Sequence, residues 1–202
     1  MCLIALSVEK NKDWSGKDSY FYKIIANRDE YHERPTSGMK WWSNNIVLAG
    51  RDEEAGGTWL GVSKEGKFGA ITNLKEETDI KYSNSRGSLV AEFLESQLSA
   101  KSYLEALEPN KENYAGFNLI IGDKSGLFYL CNRLEGIFFI SEGIHALGNL
   151  TLNSSTKKIE SIKNDFNQIL HEGFAIDKGL HIMRKEYGNL HEKTKKELQV
   201  RD

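Results

Sequence analysis

The chain is poor in cysteine, poor in proline and free of long apolar runs. Its 202 residues contain two cysteines, Cys2 and Cys131, and two prolines. Two thiols without a secretion signal do not suggest a disulfide framework, so a reducing, cytoplasmic location is expected. The start, "MCLIALSVEKNKD", has no basic region ahead of its apolar run and no small-residue cleavage site. Neither CxxC nor CxxCH occurs, which removes the usual signatures of structural zinc and of covalently attached haem. No apolar stretch approaches the ~20 residues that span a bilayer. Basic and acidic residues nearly balance, 27 against 29, so no electrostatic footprint for nucleic acid exists. There is no internal repeat and no low-complexity segment.

What is present fits a globular protein with one sizeable core: 39% apolar and 28% charged residues. The expectation is a single domain over 1–189 and a charged, frayed tail over 190–202. "CLIALS" (2–7) and "FYKIIAN" (21–27) read as strands joined by a polar loop. The stretch "RDEYHERPTSGMKWWSNN" reads as loop and "IVLAG" (46–50) as a strand. "TWLGVS" and "FGAITN" form a hairpin turning at Glu65-Gly66. Leu89, Val90, Phe93, Leu94 and Leu98 fall at helical spacing. Ser99 caps a second helical piece that Pro109 and Asn110 end. "GFNLIIGD", "LFYLCN" and "GIFFISE" form a meander, which "IHALGN" would extend. Ile159, Ile162, Phe166, Ile169 and Leu170 mark an amphipathic helix starting near Ser155. Asp177 would cap a last helix with Leu180, Met183 and Tyr187 on one face. Strands, two helices, strands and two helices imply an α+β layered fold.

The position of Cys2 carries chemistry. Cysteine is small, so the initiator methionine is normally removed ahead of it. One residue would then hold a thiol and a free α-amine, whose ordinary pKa of about 7.7–8.0 suits a base near neutrality. That is a nucleophile–base pair within a single residue. Cys2 reads equally well as a small apolar residue of a terminal strand, and Cys131, mid-strand, reads as core. The strand 21–27 runs into Asn27-Arg28-Asp29-Glu30. Alternation places Asn27 with Asp29 on one face and Arg28 with Glu30 on the other. If this strand end lies beside Cys2, Arg28 would favour the thiolate and a carboxylate would orient the α-amine. A solvated strand end with an exposed ion pair is the plain alternative.

Met1-Cys2, "NRDEYHERP", "KWW", "LAGRDEEAGGTWLGVS", "GKFGAITN" and "NSRGSLVAEFL" occur in an order that resembles the NRDE family, which includes transport and Golgi organisation protein 2. The likeness runs from residue 1 to about 95, with an echo at "GIHALGN". That family resembles the N-terminal nucleophile hydrolases, which implies a four-layer αββα sandwich. The resemblance makes Cys2 nucleophile and base, gives Arg28 and Asp29 supporting roles, and places Asn73, with Asn149 as a second candidate, near a developing oxyanion. Asn27, Gly57, Trp59 and Arg86 would contact the substrate, although Gly57 also fits a tight loop and Trp59 core packing. Longer members carry a strand region with a Tyr-Gly-Thr-Arg-like motif that this sequence lacks. A sandwich short of C-terminal strands is therefore expected, its sheet edge open or filled by another chain. Gly148 stands where the family pattern has serine.

Two functions follow as expectations. One is a cysteine hydrolase that cleaves a C–N amide bond in a small molecule and needs no cofactor. The other is a non-catalytic carrier of haem or lipid, in which Cys2, His32 or His145 could ligate haem iron. Substrate identity and oligomeric state are not legible in the sequence.

Overall fold

The apolar run at the start of the chain becomes a strand buried on both faces. The computed structural model of the protein describes residues 2–12, 16, 18–31, 33–76, 80, 82 and 84–185. Strand β1 (Leu3–Lys12) pairs antiparallel with β2 (Asp18–Asn27) and, on its other edge, with β10 (Gly143–Leu147), giving a three-stranded sheet in the order β10-β1-β2. Its side chains alternate: Ile4, Leu6 and Val8 join one core, Leu3 and Ala5 another. A strand covered on both faces needs apolar residues at consecutive positions, which is why "LIAL" does not alternate with polar residues.

The second sheet has seven strands in sequence order, all antiparallel. They are β3 (Thr36–Trp41), β4 (Val47–Asp52), β5 (Leu60–Ser63), β6 (Phe68–Asn73), β7 (Phe117–Asp123), β8 (Gly126–Cys131) and β9 (Phe138–Ile140). Phe68, Ala70, Ile120, Leu127 and Tyr129 face the β1 sheet. The opposite face carries α1 (Arg86–Glu95) and α2 (Ala100–Leu107), with Phe93, Leu94 and Leu104 packed on Val47, Leu119 and Ile121. Helices α3 (Lys157–His171) and α4 (Ile176–Met183) cover the outer face of the β1 sheet through Ile159, Ile162, Phe166 and Ile182. The architecture is thus α+β, with two antiparallel sheets and four α-helices among the described residues.

Several elements differ from the sequence expectation, each for a tertiary reason. The polar stretch after residue 7 is mostly strand, because the β1–β2 hairpin continues outward with Glu9 opposite Phe21 and Lys10 opposite Tyr20. The Tyr20 ring meets Phe139 of the other sheet edge-on at 6.0 Å, and Lys23 pairs with Glu9 across the hairpin, so a cross-sheet and a cross-strand contact hold the extension. Strand β3, expected as loop, is an edge strand with exposed Met39 and Trp41. "IHALGN" does not extend the meander. Gly143, at φ 125°, redirects the chain, and Ala146 pairs with Ala5 in the other sheet. Helix α2 does end just before Pro109, as expected, but residues Glu108–Asn113 continue as a 3-10 helix with proline in its first turn, where no N–H is needed. Helix α3 does start near Ser155, with Thr156 as its cap, accepting from the Ile159 N–H. Asp177 sits inside the first turn of α4, whose N-cap is Ala175, and Leu180 points outward while Ile182 and Met183 are buried. Tyr187 and the tail 190–202 lie outside the described residues.

The hairpin at Gly66, the Ser99 cap and the core position of Cys131 are as expected. Among the described residues no helix is long and apolar enough to cross a membrane.

Candidate active site

The β1–β2 register decides the site. Leu3 lies opposite Asn27, so the next residue on each strand brings Cys2 beside Arg28. Strand β2 ends at Asn27 and the three charged residues follow at the rim. The expected alternation is present: Asn27 Nδ2 donates to Asp29 Oδ1 at 2.8 Å, and Arg28 Nη2 donates to Glu30 Oε2 at 3.2 Å.

Arg28 is the most tightly held of these side chains. Its Nη1 donates to Thr36 Oγ1 at 3.0 Å and its Nη2 to Asp52 Oδ2 at 3.1 Å. The guanidinium lies 4.4 Å from the centroid of the Trp59 ring, a cation–π contact. Gly50 makes room for that ring, since a Cβ there would sit 2.7 Å from Trp59 Cη2. Asp52 also accepts from Arg34 Nε at 2.7 Å, and its second oxygen takes the N–H groups of Glu54 and Ala55 at 3.2 and 3.0 Å. Burial would raise the Asp52 carboxyl, but the hydrogen bonds from Arg34 and Ala55, with the Arg34 and Arg28 charges, outweigh it and hold it below its ordinary value.

These residues wall a cleft of about 550 Å³. Cys2, Arg28, Asp29, Gly57, Trp59, Asn73 and Arg86 all line it. Asn27 and Asn149 do not: Asn27 Nδ2 donates to Asp29, and Asn149 Nδ2 donates to the Asn73 carbonyl at 2.8 Å. The 148–149 segment is stapled to β6 by Thr72 Oγ1, which donates to the Gly148 carbonyl at 2.8 Å, and by the Lys75 N–H, which donates to Asn149 O at 2.7 Å. A Cβ at Gly148 would make only ordinary contacts, 3.6 Å from Ile159 Cδ1, so space does not explain glycine there. Gly57 does have a steric reason. A Cβ on it would lie 2.4 Å from the carbonyl carbon of Gly87, and the Thr58 N–H donates to Gly87 O at 3.1 Å. That glycine contact seats the first turn of α1, and with it Arg86, on the cleft wall.

The electrostatics of Cys2 differ from the expectation. Burial pushes the thiol above its ordinary value, and the positive charges of the amino terminus, Arg28 and Lys158 oppose this without cancelling it. Arg28 does favour the thiolate, as expected, but burial outweighs it. Lys158, in the first turn of α3, was not legible as part of this surrounding. Burial lowers its ammonium, and the Cys2 charge partly restores it. No linear pattern ties a residue 156 positions away to the amino terminus; the α3–β1 packing does. Arg34 and Gly50 were likewise missed, although a glycine inside the strand "VLAG" marks a close approach.

His145 lies outside the cleft wall. Its Nε2 faces the Ser141 carbonyl at 2.9 Å and its Nδ1 faces the Asn153 amide nitrogen at 2.9 Å. Both ring nitrogens are thus engaged within the protein. His32 lies outside the described residues.

The sequence profile of the family described as "Transport and Golgi organisation 2" matches residues 1–200. The mouse Transport and Golgi organization 2 homolog is 34% identical over 188 residues, covering 88% of this chain and 67% of that one. The cattle homolog is 35% identical over 183 residues, covering 86% and 66%. The chain thus spans about two thirds of the length of these relatives. Among solved structures, a Caenorhabditis elegans ortholog of N-acylethanolamine-hydrolyzing acid amidase superposes with a TM-score of 0.56 at 11% identity. The match covers 91% of this chain and 86% of that one. At that identity it is a likeness of fold.

Proposed function

The chain belongs to the Transport and Golgi organisation 2 family, and from that premise we propose that it is a cysteine N-terminal nucleophile hydrolase acting on a C–N amide bond of a small molecule. The layered α+β architecture is then a four-layer αββα sandwich of the N-terminal nucleophile type. The observation that carries the reading is the placement of Cys2, adjoining β1 and on the wall of the same cleft as Arg28, Asp29 and Asn73.

Removal of Met1 would leave Cys2 with its own α-amine. Because burial favours the neutral thiol, the proton is best taken by that amine as the sulfur attacks, rather than lost beforehand. Asp29 would orient the amine, and Arg28, held by Trp59 and Asp52, would set the charge beside the sulfur. Attack on the amide carbonyl forms a C–S bond and a tetrahedral oxyanion, to which the Asn73 side-chain amide would donate. Asn149 would act indirectly by fixing the Asn73 backbone. Collapse breaks the C–N bond, and the departing amine takes the proton held by the α-amine. Water, deprotonated by the α-amine, then cleaves the thioester, releasing a carboxylic acid and restoring the thiol. The chemistry needs no cofactor.

The test is a panel of amides incubated with the purified, processed protein. Hydrolysis should be lost in Cys2→Ala and in Cys2→Ser. Cleavage that survives both substitutions would remove Cys2 from the reaction.

A further inference from the structure

Three arginines, Arg28, Arg34 and Arg86, and three carboxylates, Asp29, Glu30 and Asp52, line the cleft, but they do not all pair with one another. Arg28 pairs with Glu30 and Asp52, and Arg34 pairs with Asp52 and Glu54. Arg86 makes no ion pair among the described residues. Its hydrogen bond runs from Nη1 to the Gly116 carbonyl at 3.0 Å. The nearby carboxylate, Glu76, is already committed: Oε2 accepts from Arg133 Nε at 2.9 Å, and Oε1 accepts from Arg133 Nη2 and the Gly116 N–H. Glu76 and Arg86 thus bracket Gly116 from its two sides without meeting. Burial disfavours the Arg86 charge, and the Glu76, Cys2 and Glu30 charges only partly relieve it.

A guanidinium has five N–H donors in a planar fork suited to a carboxylate or phosphate. Arg86 is half-buried on the wall that also holds Cys2, and the Gly57–Gly87 contact fixes the helix turn that bears it. A second hollow of about 600 Å³ lies around Glu76, Lys111 and Arg133 and shares Ile80 and Tyr82 with the cleft. Its cations Arg133 and Lys111 are paired with Glu76 and Glu108, so among the described residues lining the two hollows Arg86 is the cation that joins no ion pair.

We propose that Arg86 sets substrate specificity by anchoring an anionic oxygen group, a carboxylate or a phosphate, on the amide compound that occupies the Cys2 cleft. This rests on the hydrolase reading for the identity of the bond cleaved but not for binding. An amide with such an anion near the scissile bond brings the counter-charge that the protein withholds from Arg86. A neutral amide of the same shape would leave the guanidinium desolvated and unpaired.

Calorimetric titration of the full-length Cys2→Ala protein separates binding from turnover. Three probes share one acyl chain: N-octanoylglycine, N-octanoylethanolamine and N-octanoylethanolamine phosphate. One or both anionic probes should bind at least about tenfold more tightly than the neutral one, as a charge-assisted hydrogen bond implies. Which anion wins assigns carboxylate or phosphate. Adding Arg86→Gln should abolish the preference, and Arg86→Lys should keep part of it. If Arg86→Gln does not fold, the comparison of probes on the Cys2→Ala protein and the lysine variant decide. Equal affinities, no binding by any probe, or a preference that persists unchanged in the Arg86 variants overturns the proposal. An anion preference in a protein whose Cys2 form cleaves no amide would sink the hydrolase reading and leave this one standing.

Discussion

The Arg28 guanidinium stacks on the Trp59 indole at 4.4 Å while the same side chain pairs with Asp52. The indole fixes the plane of the guanidinium and the carboxylate fixes its end. Trp59→Leu should therefore free Arg28 without removing its charge. The expected stability loss is about 1–3 kcal/mol, the cation–π contact plus part of the indole packing. Urea unfolding measures it, and slower alkylation of Cys2 in the same variant would report the loosened Arg28. Unchanged alkylation would detach this pair from the thiol.

Asp52 joins Arg28 and Arg34 through one oxygen and the 54–55 turn through the other. Asp52→Asn should cost about 1–3 kcal/mol, because two partly buried guanidinium groups each lose one of two counter-charges. The carboxyl is held below its ordinary value when folded. Its stabilising effect is thus complete above the unfolded pKa of about 3.9 and is lost as pH falls through the folded value. Unfolding free energies from pH 6 to pH 3 should fall less steeply in the variant than in the native sequence.

His145 titrates with the opposite chemistry and the same direction of stability. Burial lowers its pKa, the Ser141 carbonyl opposes that, and the Lys163 charge adds to it. The neutral ring can donate from Nε2 to Ser141 and accept at Nδ1 from the Asn153 amide, whose oxygen accepts from the Ala146 N–H. Protonation would set two donors against each other. The unfolded chain binds the proton more readily, so this contribution is present above about pH 6.5 and lost as pH falls through the lowered folded value. His145→Gln should flatten the stability profile between pH 7 and pH 5, read by chemical unfolding at fixed ionic strength. An unchanged slope would contradict the neutral-ring assignment.

Gly57→Ala tests the seating of α1. The added Cβ would meet the Gly87 backbone at 2.4 Å, and backbone cannot swing aside like a side chain. A loss of about 1–3 kcal/mol is expected from overpacking. Gly56→Ala, where a Cβ meets nothing but φ is 73°, should cost about 1 kcal/mol from backbone strain alone. Thermal melts of the two variants separate contact from conformation.

The pattern of legibility follows from what is local. The hairpin at Gly66 and the two helical pieces split by Ser99 were readable, because each depends on neighbours in sequence, whereas the adjacency of Cys2 to Arg28 was one of two rims open to the strand end until the β1–β2 register chose it. The motif order of the first 95 residues pointed to the family and gathered Arg28, Asp29, Gly57, Trp59, Asn73 and Arg86, which do share a wall with Cys2. What was not readable depends on packing between distant elements. Strand β10 resembles a fourth meander strand until Gly143 sends it to the other sheet. Lys158 meets the surroundings of Cys2 only because α3 lies on the β1 sheet. The raised thiol pKa was missed for the same reason: charge is visible in a sequence, whereas burial is a property of the assembled layers.

The central claim is that Cys2 becomes a nucleophile by acquiring its own α-amine. Intact mass and peptide mapping, combined with the rate of Cys2 alkylation against pH, test it directly. The processed chain should begin at Cys2, and its thiol should react at lower pH than in a variant that retains residue 1, where burial keeps the thiol above its ordinary value. Cys131, fully buried between the sheets, should stay unreacted throughout. A mature chain that keeps Met1, or a Cys2 thiol no more reactive with a free amine than without one, would contradict the account.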